Sequence, residues 1–331
     1  MPSREDERVP LLEVRNLKVS YKTYRGILKV LDGVNFEIEK GEKVGIIGES
    51  GCGKTTTMKA IMRILPSNAI VEGGEILYNG TDILKMSESE FNKIRRERFA
   101  MIFQDPTAAL NPVFKVGEQL MDILRYSKGT GKYDEDDLKE EIIGAFREVM
   151  LPDPERVFDS YPFQLSGGMR QRVCIALALL TAKELLIADE PTTNLDVTIQ
   201  DQILRLIKDL VSRRDLSVIL ISHALGAVRG LVDRVYVMYA GTMVESNEVN
   251  ELFRSPKHPY TRALLSSAPR LTGGGISQGI PGNVPDYLNP PSGCRFHPRC
   301  ESKKFICDIE PPSFFSVEKG GKVACFLYAE R

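Results

Sequence analysis

The chain has 331 residues, with 44 Lys and Arg against 45 Asp and Glu, so its formal net charge is −1. At roughly 150 residues per domain, this length predicts about two domains. A composition that is 42% hydrophobic and 27% charged is typical of folded globular proteins and excludes wholesale disorder. The near-zero net charge disfavours electrostatic capture of bulk nucleic acid or of an anionic membrane surface.

Neither a membrane span nor a secretion signal is predicted. The longest unbroken apolar run, Val173–Leu180, has eight residues, whereas a spanning helix needs about 18 or more. The first ten residues, MPSREDERVP, are charged and lead into no apolar core, unlike a signal peptide. We therefore expect the protein to work in the cytoplasm.

The first part of the chain predicts strands followed by one helix. Leu12, Val14, Leu17 and Val19 are spaced as in a partly buried strand, and Val34, Phe36 and Ile38 alternate with polar residues, as in a strand with one wet face. The short apolar run Val44–Ile47 predicts a strand buried on both faces of a parallel sheet. Residues Thr55–Leu65 have a helical pattern, and Pro66 is expected to end that helix.

Residues 105–163 carry no strand pattern, and their apolar residues recur at helical spacing, so we predict a mostly helical insertion. Strand patterns resume at Leu185–Ala188 and Val218–Ile221. The amphipathic segment Ile199–Leu210 lies between them, and this strand–helix–strand order predicts a parallel sheet. Val235–Tyr239 predicts one further strand.

Residues 48–55 read GESGCGKT and match the phosphate-loop pattern G-x-x-x-x-G-K-[ST] without a mismatch. Glycines allow successive backbone N–H groups to converge on phosphate oxygens, and the following helix adds its positive end. Lys54 would meet the terminal phosphates, and the Thr55 hydroxyl could ligate Mg²⁺. Cys52 is expected to be a small spacer. The predicted strand before the loop and helix after it are the context that the motif requires.

A second helix start carries the string Leu165–Arg172, which reads LSGGMRQR. Ser166, Gly167 and Gly168 precede an apolar helix and would form a second anion-binding helix terminus. Ser166 could instead serve only as a helix cap. A cap alone does not require the paired glycines.

Two carboxylates follow a predicted buried strand in the string LLIADE, residues 185–190. Asp189 would hold Mg²⁺ through water, and Glu190 would orient or deprotonate an attacking water. The pair could also cap the next helix, which would explain one carboxylate only. His223 ends the following strand, where contact with a γ-phosphate is possible.

The order of these elements closely resembles the ATP-binding-cassette (ABC) ATPases over roughly residues 11–250. Besides the phosphate loop, the segment LSGGM and the carboxylate strand, the resemblance includes Gln104, the triplet NLD at 194–196, and His223. It implies an α/β fold: a P-loop ATPase core with an N-terminal antiparallel β subdomain, a helical insertion, and a Pro-rich, Cys-containing C-terminal extension.

The resemblance also implies roles for the matching residues. Tyr21 would stack on adenine, with Tyr24 as the alternative, and Gln104 would complete the shell around Mg²⁺ and water and sense the transmembrane partner. Asp196 would cross the interface between two ATPases, and His223 would contact the γ-phosphate. The remaining ATP-binding residues form two groups: Gly48, Glu49, Ser50, Gly51, Cys52, Gly53, Lys54, Thr55 and Thr56 with Asp189 in one chain, and Ser166, Gly167 and Gly168 facing the ATP of the opposite subunit.

Such an ATPase is expected to work as a head-to-tail pair, because its signature helix lies beyond a long insertion and cannot reach the nucleotide of its own phosphate loop. The second ATPase would be a sister chain, giving a heterodimer, or a second copy. ATP would close the pair, and hydrolysis assisted by Glu190 would open it.

Further strings narrow the resemblance to the ATPase subunits of oligopeptide and dipeptide importers. They are QDP at 104–106, LNP at 110–112, KHPYTRAL at 257–264 and IPGNVPDYLNPPSGCRFHPRC at 280–300. The expected function is ATP hydrolysis that drives import of small peptides through transmembrane permease subunits, on the cytoplasmic face of the membrane, with a solute-binding protein as an indirect partner and no nucleic acid. Nickel-complex and oligosaccharide importers share these motifs, so the solute stays open.

Two other classes are less consistent with the sequence. Soluble ABC ATPases of DNA repair or translation usually carry long coiled coils or two cassettes, whereas this chain has one cassette and no sustained heptads. A module that assembles without hydrolysis would not need Glu190. By the same resemblance, the chain divides into a core of residues 1–104 and 164–250, a helical subdomain of 105–163, and an extension of 251–331.

Four of the six cysteines lie within the extension as C-x5-C-x6-C-x17-C: Cys294, Cys300, Cys307 and Cys325. Clustered thiols in a reducing compartment predict a metal site before a disulfide pair. Four thiolates suit zinc or an iron–sulfur cluster, and the spacing differs from the CxxC pairs of structural zinc sites. The importer resemblance implies a [4Fe–4S] cluster, with zinc, or free or disulfide-linked thiols, as alternatives, and leaves His297 as a surface residue.

Overall fold

The computed structural model describes residues 9–129, 131–193, 195–267 and 279–329. The described residues form two compact units. The first unit takes residues from Met1–Lys85 and Ser222–Arg331, and the second takes Met86–Ile221.

Strands occur in both units. In chain order they are β1 (Leu12–Thr23), β2 (Gly26–Ile38), β3 (Lys43–Ile47), β4 (Ala69–Tyr78), β5 (Thr81–Asp82), β6 (Phe99–Ile102), β7 (Leu185–Asp189), β8 (Ser217–Ile221), β9 (Arg234–Tyr239), β10 (Thr242–Glu248), β11 (Phe315–Ser316) and β12 (Lys322–Val323).

Helices also occur in both units. They are α1 (Lys54–Ile61), α2 (Glu88–Glu97), α3 (Pro106–Ala109), α4 (Val116–Lys128), α5 (Glu135–Glu148), α6 (Pro154–Asp159), α7 (Gly167–Thr181), α8 (Val197–Arg214), α9 (Leu225–Leu231), α10 (Val249–Arg254) and α11 (Pro259–Ser266). Short 3-10 turns lie at Pro162–Gln164, His297–Arg299, Phe305–Asp308, Glu318–Gly320 and Phe326–Tyr328.

An antiparallel sheet in the first unit has the strand order β2-β1-β4-β5. The apolar positions of β1 change from even to odd numbers between Val14 and Leu17, and both residues are buried. The register shifts at that point, and Asn16 adopts a φ of 47°. This β-bulge returns the buried side chains to the same face of the sheet after one extra residue.

The rest of the first unit contains the strand that leads into the phosphate loop. Strand β3 pairs in parallel with β9, and β9 pairs antiparallel with β10. Four of the five β3 residues are buried, as the apolar run predicts. Strands β12 and β11 continue from β10, so residues near the C-terminus extend this sheet. Two short strands of the extension are therefore part of a sheet of the first unit.

Helix α1 ends at Ile61, earlier than the predicted end at Leu65. The N–H of Ile64 bonds to the carbonyl of Lys59, and that of Arg63 bonds to the carbonyl of Ala60. With Arg63 at a φ of 50°, this is a Schellman motif. Glycine usually occupies the position of Arg63, so the sequence contains no signal for this helix end.

The second unit contains three parallel strands in the order β8-β7-β6. Every residue of β7 and β8 is buried, and the parallel pairing confirms the strand–helix–strand prediction. The region after β6 is helical from α3 to α6, as predicted for residues 105–163. The sequence pattern does not predict α2, β6 or the β4–β5 pair.

Candidate functional site

The phosphate loop follows β3 directly and ends in α1. At Gly48, with a φ of 155°, an added Cβ would lie 2.1 Å from the carbonyl oxygen of Met238. Gly51 has a φ of 77°, a backbone conformation that favours glycine, and no atom lies within 4 Å of an added Cβ. The close approach of the Met238 carbonyl requires glycine at position 48, and the backbone conformation favours glycine at position 51.

Lys54 is buried, and its ammonium group is held by the loop. Its Nζ donates to the carbonyl oxygens of Gly48 at 2.8 Å and Glu49 at 2.9 Å. The lysine therefore braces the curved backbone that is expected to receive phosphate. Cys52 is 1% exposed, and burial raises the pKa of its thiol. That environment suits a packing residue.

Tyr21 and Tyr24 are the two candidates for stacking on adenine. The Tyr21 hydroxyl lies 3.3 Å from Thr56 Oγ1, beside the first turn of α1. Tyr24 is 99% exposed. The fold thus places Tyr21 next to the phosphate-loop helix and leaves Tyr24 in solvent.

The second unit brings Glu190 and Gln104 together. Gln104 Nε2 donates to Glu190 Oε2 at 3.0 Å, and Thr193 Oγ1 donates to the same oxygen at 3.0 Å. Glu190 has a φ of 47°, in the left-handed region, and its backbone N–H bonds to Ile221 O. Such backbone strain is often found at active sites. Asp189, the last residue of β7, is 2% exposed.

The remaining predicted residues lie at helix starts or on the surface. Ser166 is the N-cap of α7 and accepts the N–H of Met169, so the capping interpretation holds for its side chain. Gly167 and Gly168 begin that helix. Asp196 is the exposed residue before α8 and makes no side-chain cap bond. Asn194, the first residue of the NLD triplet, lies outside the described residues.

His223 belongs to the first unit, two residues before α9. It is exposed. It follows Ile221, the last residue of β8, by two positions.

Three side chains of the extension touch the phosphate loop, which the sequence analysis missed. The Tyr260 hydroxyl accepts the N–H of Glu49 at 2.8 Å, and the Tyr287 hydroxyl donates to the carbonyl of Gly51 at 2.7 Å. Arg299 forms an ion pair with the Glu49 carboxylate at 2.8 Å. The available signal was that all three lie in strings of the importer resemblance: Tyr260 in KHPYTRAL, and Tyr287 and Arg299 in IPGNVPDYLNPPSGCRFHPRC.

The four cysteines of the extension surround one small cavity, together with Phe296 and Phe326. All four are free thiols. Burial raises the pKa of the Cys294 thiol to about 11, and repulsion from the other three thiols acts in the same direction. Across the part of the chain that the structure describes, however, no three His, Cys, Asp or Glu side chains form a group that could hold a metal ion.

The expectation that His297 is a surface residue is wrong. Its side chain is 13% exposed, and Nε2 lies 2.9 Å from the Asp308 carboxylate. Its Nδ1 lies 3.0 Å from the carbonyl oxygen of Cys294. His297 therefore connects two segments of the cysteine-containing region.

Among the described residues, no helix combines the length and apolar character that crossing a bilayer would require.

Two family models match the chain. Residues 31–193 match the model described as "ABC transporter". Residues 244–307 match the model described as "Oligopeptide/dipeptide transporter, C-terminal region". The first range includes the phosphate loop, Ser166 and Glu190, and the second includes Tyr260 and Arg299.

Similar proteins cover almost the full length of the chain. A dipeptide transport ATP-binding protein, DppD, of Bacillus subtilis is 45% identical over 97% of this chain and 96% of its own. An oligopeptide transport ATP-binding protein, OppD, of the same organism is 46% identical over 92% of this chain and 85% of its own.

A solved structure also matches: the dimeric post-hydrolysis state of the ATP-binding cassette MJ0796, bound to ADP and Pi. It aligns with a TM-score of 0.64 and 26% identity over 72% of this chain and 98% of that chain. The fold neighbours confirm the predicted α/β P-loop ATPase class. The chain belongs to the ABC transporter ATP-binding proteins of the oligopeptide and dipeptide transport group.

Proposed function

We propose that this protein is the ATP-hydrolysing subunit of an importer for oligopeptides or dipeptides. The observation that carries the proposal is the near full-length similarity, at 45–46% identity, to ATP-binding proteins named for dipeptide and oligopeptide transport. The match to their C-terminal region separates this group from ABC ATPases in general.

The phosphate loop holds the triphosphate in this proposal. Backbone N–H groups of residues 48–55 and the start of α1 face the phosphate oxygens, while Lys54 moves from the loop carbonyls toward the terminal phosphates. Thr55 and Gln104 would hold Mg²⁺, Asp189 would reach it through water, and Tyr21 would stack on adenine. Bound Mg²⁺ offsets the negative charge of the β- and γ-phosphates.

Glu190 orients and deprotonates the attacking water. Gln104 and Thr193, which both donate to its carboxylate, fix the direction in which that carboxylate points. His223 contacts the γ-phosphate, which ATP has and ADP lacks, so this contact distinguishes the two bound nucleotides.

A second ATPase completes each nucleotide site. Ser166, Gly167 and Gly168 of one subunit contact the ATP held by the phosphate loop of the other, and Asp196 lies at the interface. The dimeric state of the matched cassette structure supports this arrangement. We propose a sister ATPase as the partner, with a second copy of this chain as the alternative.

The permease contacts the helical subdomain, residues 105–163. Exposed apolar side chains cluster near Gln104 in the sequence: Phe103, Val113 and Phe114. Apolar groups that a soluble protein leaves exposed in one segment often mark a partner surface. The protein is peripheral on the cytoplasmic face of the membrane, with a proposed core of residues 1–104 and 164–250 and a proposed extension of 251–331.

We further propose that the four extension cysteines hold a [4Fe–4S] cluster. They line one cavity as free thiols. Zinc would need four sulfur atoms, each about 2.3 Å from one ion, and the described residues offer no group that could hold a single ion. The spacing of the four cysteines, which differs from the CxxC pairs of structural zinc sites, and the importer resemblance favour the cluster over zinc. When bound, the cluster cross-links the segments that carry these cysteines.

Transport is tested by reconstituting the chain with its permease and sister ATPase in proteoliposomes. We expect ATP-dependent uptake of a labelled tripeptide, which unlabelled dipeptides compete with and which Glu190→Gln abolishes. Uptake of a nickel chelate or an oligosaccharide, and not of peptides, would contradict the proposed solute.

The cluster is tested by anaerobic purification followed by iron and sulfide assays and a visible spectrum. We expect about four irons and four sulfides per chain, and loss of both in Cys307→Ser, whereas Cys174→Ser retains them. A colourless, iron-free protein, or one that contains stoichiometric zinc, would contradict the cluster.

A further inference from the structure

The C-terminal extension reaches the phosphate loop from outside the ATPase motifs. Within the described residues, its side chains contact the loop at Glu49 and Gly51, the second and fourth residues of the motif. Both positions are written as x in the motif pattern, so the motif itself does not explain these contacts.

Tyr260 fixes the backbone at Glu49. Its ring is completely buried and packs against Tyr239 and Phe296, with ring centroids 4.5 Å and 5.4 Å apart. The hydroxyl oxygen that accepts the Glu49 N–H at 2.8 Å is therefore held by a rigid ring. Removing this hydroxyl would leave that N–H without its acceptor.

Tyr287 fixes the backbone at Gly51. Its hydroxyl donates to Gly51 O at 2.7 Å, while its own carbonyl accepts the N–H of Lys29 in β2 at 2.9 Å. The residue thus connects the loop to the antiparallel sheet. The left-handed conformation of Gly51 is held from outside the loop.

Arg299 fixes the side chain of Glu49. The guanidinium group pairs with both carboxylate oxygens, Nη1 to Oε2 at 2.8 Å and Nη2 to Oε1 at 3.2 Å. The Arg299 side chain is only 3% exposed. Its Nε donates to the carbonyl of Pro281 at 2.8 Å, so the guanidinium position is set by the extension.

The Arg299–Glu49 ion pair changes the charge that the phosphate loop presents to the triphosphate. A free carboxylate at Glu49 would repel the phosphates, because both carry negative charge. The paired guanidinium offsets that charge, and its two parallel hydrogen bonds hold the carboxylate in one orientation.

We propose that Arg299, together with Tyr260 and Tyr287, is a positioning residue of the nucleotide site, through which the C-terminal extension sets the affinity of the phosphate loop for ATP. This inference rests on the proposed ATP-binding function. It assigns the extension a role in nucleotide binding that is separate from its cysteine site.

The test measures Mg·ATP affinity of the full-length chain with a fluorescent ATP analogue, alongside thermal unfolding. Loss of a charged bidentate pair predicts that Arg299→Ala weakens ATP binding about 10- to 100-fold. Arg299→Lys keeps the charge but loses the bidentate geometry, so we expect an intermediate affinity. Glu49→Gln removes the carboxylate that needs neutralising, and the double variant Arg299→Ala/Glu49→Gln is expected to recover to within about threefold of the parent.

Arg295→Ala is the matched control. Arg295 is a buried arginine of the same segment that pairs with Asp32 at 3.1 Å and makes no hydrogen bond to residues 48–55 in the described structure. We expect it to lower the unfolding temperature without changing ATP affinity more than about twofold.

Three outcomes would overturn the inference: unchanged affinity in Arg299→Ala, no recovery in the double variant, or equal weakening in Arg295→Ala. Failure of the proposed function has a different result. In that case the parent chain itself would not bind Mg·ATP, or Lys54→Ala would bind it as tightly as the parent.

Discussion

Gln104 donates a 3.0 Å hydrogen bond to Glu190, which lies 86 positions later in the chain. The sequence suggested separate roles for these two residues, one at Mg²⁺ and one at the attacking water. Their contact makes the orientation of the Glu190 carboxylate dependent on Gln104. Thr193 bonds to the same carboxylate oxygen and restricts it further.

Replacing Glu190 with Gln should stop turnover while leaving ATP binding intact. The amide has nearly the same shape but cannot accept the proton of water, and general-base catalysis contributes about 10²- to 10⁴-fold. Phosphate release should fall by at least about 100-fold in single-turnover assays. A variant that hydrolyses ATP at the parental rate would refute the assigned base.

Replacing Gln104 with Glu should shift the pH dependence of hydrolysis to higher pH. Two carboxylates at this distance share a proton, because both cannot readily be ionised together. The proton would occupy Glu190 part of the time, so activity at pH 6.5 should fall more than activity at pH 8.5. Gln104→Ala, which adds no charge, is the control, and identical pH–rate profiles for the two variants would contradict the prediction.

Lys54→Ala should weaken ATP binding by at least about 100-fold, because two contributions are lost: the charge facing the phosphates and the Nζ bonds that brace Gly48 and Glu49. Equilibrium titration with a fluorescent nucleotide measures the change. Lys59→Ala, on the same helix, is the matched control and should bind ATP as the parent does. Similar affinities for the two variants would contradict the loop assignment.

His258 should make the folded protein less stable in acid. Its side chain is 1% exposed and its Nδ1 accepts the N–H of Tyr260. Burial, together with the nearby charge of Arg262, lowers the pKa of His258 to about 3. In the unfolded chain the His258 imidazole binds a proton near pH 6.5, whereas in the folded chain it stays neutral down to about pH 3. The contribution of neutral His258 to the free energy of unfolding is therefore complete above about pH 6.5 and is lost as the pH falls toward 3.

Urea unfolding at pH 5 and pH 7 checks this prediction against His258→Asn, whose Oδ1 can still accept the Tyr260 N–H. The parent should lose up to about 1.4 kcal/mol more unfolding free energy per pH unit than the variant. Burial raises the pKa of Glu245, which accepts the backbone N–H of His258, and this carboxyl acts with the opposite sign. Because Glu245 is present in both proteins, its effect largely cancels in the comparison, and equal pH slopes would count against a buried neutral histidine.

Local sequence was sufficient to predict the elements whose structure depends on neighbouring residues. The parallel strands β3, β7 and β8 were visible as apolar runs because both faces of each are buried. In contrast, Arg63 ends α1 in a conformation that usually selects glycine, so only the folded structure revealed that helix end.

The sequence by itself determined the nucleotide chemistry, since the phosphate loop is one contiguous segment whose glycines, lysine and threonine act on a single ligand. Only the tertiary structure decided what surrounds that loop. Tyr260 and Arg299 lie 211 and 250 positions away from Glu49. Contacts over such distances depend on how a sheet edge, a buried aromatic cluster and a coil segment meet in space, and no spacing rule along the chain encodes that meeting.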